Sequence, residues 1–133
     1  MSAKEKHLEF IQNIISRLAR DSFLVKGWAI TIFSAFMILG LKNNTEEILL
    51  WSIFPSTMFW FIDGYFLYQE RLYRLLHDNV RTKNIEDVDY DLKIPTEIKE
   101  AETHLKACFS QILIMFYVTI IIMPFIINLL LFK

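Results

Sequence analysis

The chain has little from which to build a loop-based catalytic centre. Its 133 residues include three glycines, three prolines, three histidines and one cysteine. The single cysteine, Cys108, excludes an internal disulfide. Three glycines leave no glycine-rich phosphate loop and no nucleophile elbow. Three scattered histidines and one cysteine give no zinc-ligand spacing. No basic block is present; the basic residues flank apolar runs instead, so no nucleic-acid partner is expected. No carboxylate pair sits on a rigid scaffold. These absences argue against an enzyme, and no cofactor or metal is expected.

What the chain does hold is apolar length. Hydrophobic residues make up 54% of it, whereas soluble domains run nearer about 45–50%. The excess falls in three blocks, at residues 23–41, 48–68 and 108–132. Crossing a bilayer core takes about 20 helical residues. The second and third blocks reach that length; the first does so if Lys26 snorkels to the headgroups. The first block is not expected to be a cleaved signal peptide. A helical segment precedes it and no small-x-small cleavage site follows.

The expected fold is therefore an all-α membrane protein with three transmembrane helices. An N-terminal amphipathic helix occupies residues 1–22, and spans one and two occupy 23–68. A cytoplasmic helical hairpin with an extended acidic tip occupies 69–107, and span three 108–133. Arg17, Arg20 and Lys26 precede the first span; Arg71, Arg74, Arg81 and Lys83 follow the second. The positive-inside rule then puts the N-terminus in the cytoplasm. Trp28 and Trp51 are placed as interfacial anchors. In the first 22 residues, Leu8, Ile11, Ile15 and Leu18 share a face. Acids Glu9 and Asp21 and the few bases speak for packing on protein rather than for a helix lying flat on lipid.

The second block passes into "YQERLYRLLHDNVR" without a breaker, so a long helix is expected from Ile48 to Arg81. Thr96 is the expected N-cap of the lead-in to the third span. Between them Val88, Tyr90, Leu92 and Ile94 alternate with polar residues, the period of an extended strand. Two readings stand: a segment laid along the chain's own helices, or a contact with another protomer or partner. Asp87, Asp89 and Asp91 match the opening of a calcium loop, but Leu92 replaces its glycine and Ile98 its closing glutamate. Arg71 and His77 resemble the R-x(4–6)-H motif of HEPN ribonucleases, but Leu72 stands where that family prefers a polar residue.

The sharpest candidate is Asp63, an acid inside the second block. An ionised acid facing lipid costs at least ~2.5 kcal/mol. Lys26 and Gln111 lie at similar depth. Asp63, Lys26 and Gln111 are thus either a polar layer that sets helix register or, with Asp63 on a water-filled path, part of an oligomeric pore. Pro55 and Pro124 sit at matched depth in the outer leaflet and are candidate hinges.

"LEFIQ" at residues 8–12, "KGW" at 26–28 and "DGYFLYQERLYR" at 63–74 resemble a group of small uncharacterised bacterial multi-span membrane proteins. The resemblance covers about the first 80 residues and implies a bacterial inner-membrane location. In architecture the chain also looks like membrane effectors and accessory proteins of anti-phage defence, some of which form pores. Two functions follow as expectations. One is a homo-oligomeric ion channel or membrane-perturbing effector gated from its cytoplasmic part. The other is a membrane-anchored subunit that recruits or regulates a cytosolic partner protein. The lipid bilayer is a partner in both.

Overall fold

A computed structural model describes residues 2–84, 86, 88 and 90–132. Asp87 and Asp89 of the acidic tip lie outside these. The described residues form six helices and no strand: α1 (Ala3–Asn43), α2 (Glu46–Trp51), α3 (Ile53–Thr82), α4 (Thr96–Ala101), α5 (His104–Cys108) and α6 (Gln111–Leu131). Two of them, α1 and α6, are long and apolar enough to cross a membrane.

α1 is one helix of 41 residues, so the amphipathic segment and the first apolar block share a single rod. The expected boundary near residue 22 is not a break. Residues 18–26 contain neither proline nor glycine, so nothing interrupts the i→i−4 ladder. A capping box of Ser2 and Glu5 starts the helix. Asn44 ends it in the left-handed region at φ 54°, with its N–H on the carbonyls of Gly40 and Leu41. The chain then reverses, and α2 and α3 run back along α1. At the far end, Lys4 Nζ donates to the carbonyls of Arg81 and Lys83.

The longest pairing is therefore α1 against α2–α3; α3 also packs against α5 and α6. The lead-in to α6 is divided instead. Thr103 Oγ1 accepts from Lys106 N and starts α5; Ser110 Oγ accepts from Leu113 N and starts α6. Pro95, not Thr96, is the N-cap of α4, and it supplies no side-chain bond.

The two prolines behave differently. The second apolar block divides between Trp51 and Ile53, one turn before Pro55, which has no N–H for the Trp51 carbonyl. Ser52 Oγ donates to the Leu49 carbonyl at 2.7 Å and Ser56 Oγ to that of Ser52 at 2.8 Å. Pro124, by contrast, is fully buried within an α6 that runs on past it.

Two cores result. Near the N-terminus of α1, Ile11 and Ile15 pack on Leu72, Leu76 and Val80 of α3, closed by Val88 and Ile94. Further along, Ala29 packs with Leu113 and Tyr117, bordered by Phe59, Trp60 and Phe116. Around and beyond this second core large apolar side chains of α1 and α6 point outward: Ile38, Ile112, Met115 and Leu130 are each more than 60% exposed.

Candidate functional site

A polar layer separates the two cores. Asp63 of α3 is fully buried there. Lys26 Nζ lies 2.6 Å from its Oδ2. The Tyr117 hydroxyl donates to the same oxygen at 2.9 Å. The Ser22 hydroxyl donates to Oδ1, and Lys26 donates to Ser22 Oγ at 2.9 Å. Ser22 and Lys26 are four residues apart on α1, so one helical face presents both. Every charge in the layer is thus answered within one chain, and three helices are tied at one level. The lysine side chain is 20% exposed and gives the layer its outlet to the surface.

The bond from Trp60 extends this layer to the elbow between α5 and α6. Trp60, three residues before Asp63, stacks on Tyr117 with centroids 6.2 Å apart and planes 5° apart. Its indole N–H donates to the Cys108 carbonyl at 2.8 Å, satisfying a backbone group at the end of α5. Gly64 admits the same elbow. A Cβ there would run into Cys108 Sγ and lie within 3.2 Å of its Cα.

Of the sequence candidates, the structure brings Asp63 and Lys26 together. Gln111 is the first residue of α6, is exposed, and is not among the partners of Asp63. Tyr117 takes that place, and Ser22 joins it. The depth count that singled out Gln111 treated the third block as one helix from Cys108, whereas the helix restarts at Gln111. The Ser22–Lys26 spacing was the signal available for Ser22; nothing in the sequence marked Tyr117.

Val88 and Ile94 are buried in the first core, while Tyr90 and Leu92 remain 47% and 39% exposed. The alternation is cut short because Asp91 Oδ1 accepts from Lys93 N, an Asx turn that bends the chain. The segment thus lies along α1 and α3 of its own chain. The Tyr90 ring meets His7 edge-on at 5.3 Å. His7 is buried, and its Nε2 has no hydrogen-bond partner among the described residues. An orphaned buried nitrogen costs about 1–3 kcal/mol. His7→Phe keeps the ring contact and removes that nitrogen, so it is expected to raise stability by about 1 kcal/mol in a denaturant titration. A loss of stability would mean that the nitrogen is paired in solution.

Within the chain Arg71 faces Glu102, with 3.6 Å between Nη1 and Oε2. No group of three or more potential metal ligands occurs among the described residues. Compared with known families, curated proteins and solved structures, the chain matches none.

Proposed function

We propose that the chain is a three-span protein of a bacterial cell membrane, with a cytoplasmic N-terminus, that anchors a cytoplasmic helical module for contact with a partner protein. Between the spans of α1 and α6, the second span is residues 48–68, taken from α2 and the first half of α3. Gly40 packs on Leu49 and Lys26 pairs with Asp63, so this stretch runs beside α1 residues 26–40. Any slab that covers one covers the other. The outward apolar side chains of α1 and α6 supply the need for lipid.

The observation that carries the anchoring reading over the channel reading is the enclosure of Asp63. The channel reading puts Asp63 on a water-filled path, whereas this carboxylate is fully buried and paired inside one chain. The likeness to defence proteins is one of architecture and adds no weight to either reading.

The purified protein in liposomes is expected to pass no more ions than protein-free vesicles. Flux that Asp63→Asn lowers, with oligomer size unchanged, would replace this reading with the channel. In cells, a cysteine placed at Asn44 is expected to react with an impermeant thiol reagent from outside. Labelling from the cytoplasmic side alone would invert the topology.

A further inference from the structure

One face of α1 is built for something anionic. Phe10, Asn13, Arg17, Arg20, Leu24 and Trp28 follow one another at steps of three or four residues, so they form a single stripe. Its lower part borders a groove of about 850 Å³, closed on the other side by Leu92. Leu24 and Trp28, at its upper end, are 50% and 65% exposed. Arg17 and Arg20 are exposed, and neither enters an ion pair among the described residues.

We infer that Arg17 and Arg20 hold the phosphate of an anionic phospholipid whose acyl chains lie against Leu24 and Trp28. This rests on the membrane reading above. Arg20 and Arg17 precede the first apolar residue, Phe23, by three and six positions, about 4.5 and 9 Å along the axis. The headgroup layer is about 5–8 Å deep on each side of the hydrocarbon. Arg20 therefore sits within it, and Arg17 reaches it along its own stem. Guanidinium groups match phosphate oxygens in pairs.

The surrounding charges leave both arginines unclaimed. Lys26, the next cation on α1, is committed inward to Asp63. Asp21, the acid nearest the arginines, follows Arg20 directly and stands one turn above Arg17; it pairs with neither among the described residues and lines the groove that Leu24 and Trp28 share with Phe59. Glu9 lies eight residues below Arg17, about 12 Å away.

The test is native mass spectrometry of the full-length protein from micelles that hold phosphatidylglycerol and phosphatidylcholine. At about fivefold per basic residue, the two arginines predict a preference for phosphatidylglycerol of up to about thirtyfold. Arg17→Gln with Arg20→Gln is expected to abolish it while helicity by circular dichroism stays the same. Arg74→Gln, on the exposed side of α3, is expected to leave it intact. A preference that survives the double substitution, or falls equally with Arg74→Gln, overturns the site. Displacement of the lipid by equimolar inorganic phosphate overturns the lipid as its occupant. A protein that fails to enter vesicles overturns the membrane reading itself, whereas insertion without lipid preference overturns this inference alone.

Discussion

Asp63→Asn is expected to cost about 3 kcal/mol of stability, the largest loss of any single isosteric change in the molecule. The shape of the side chain is kept, but Lys26 loses its counter-charge. Removing one partner of a buried ion pair costs about 3–5 kcal/mol, because the remaining charge stays desolvated. The lower end applies here, since the lysine is 20% exposed and can turn toward the surface. Denaturation in mixed micelles followed by circular dichroism reads the loss. Adding Lys26→Met removes the stranded charge and should restore more than half of it. By comparison Tyr117→Phe keeps the stack on Trp60 and gives up one hydrogen bond to a charged group, about 1.5–3 kcal/mol in a buried setting. If Asp63→Asn melts with the parent protein, the layer does not hold the three helices together.

Gly64→Ala is the second large effect. The added methyl has no room, because Cys108 Sγ occupies the space and the Cys108 Cα would be 3.2 Å away. Overpacking of this kind costs about 1–3 kcal/mol. Relief by shifting α5 would also pull the Cys108 carbonyl from the Trp60 indole. The expected signature is therefore a stability loss together with a red shift or quenching change in tryptophan emission. Cys108→Ala in the same chain frees the sulfur's volume but leaves the backbone contact, so partial recovery is expected. Full stability in Gly64→Ala alone would mean that the elbow does not rest on α3.

These two residues differ in how far the sequence announced them. Asp63 was legible because a charge among aromatics is costly and needs a partner, and Lys26 was the nearest cation at its depth. Tyr117 was not legible. A tyrosine in an apolar run is compatible with an interfacial, lipid-facing or core position, and the choice depends on where the helix begins. That start moved from Cys108 to Gln111 because Thr103 and Ser110 each cap a new helix. The role of Gly64 lay equally out of reach, since a close approach between α3 and α5 is a property of their packing and leaves no local pattern. The helical content and the apolar face of residues 8–18 were legible from periodicity alone, because the face at Ile11 and Ile15 is the one the chain buries. The alternation at Val88–Ile94 signalled extended backbone, but the period could not reveal that Asp91 would bend the chain and that Tyr90 and Leu92 would stay exposed.

The unbroken α1 makes the molecule a lever. Its 41 residues measure about 60 Å, and about 36 Å of that lies on the N-terminal side of Lys26. A helix interrupted at the membrane surface would absorb a change of tilt at the interruption. This one carries it through, so a rotation of about 10° around the Lys26–Asp63 layer swings the Ala3 end by about 6 Å. Lys4 ties that end to the carbonyls of Arg81 and Lys83, so the tip of α3 travels with it. A tilt imposed on the apolar end of α1 is thereby passed on to the surface formed by Ala3 and the last turn of α3.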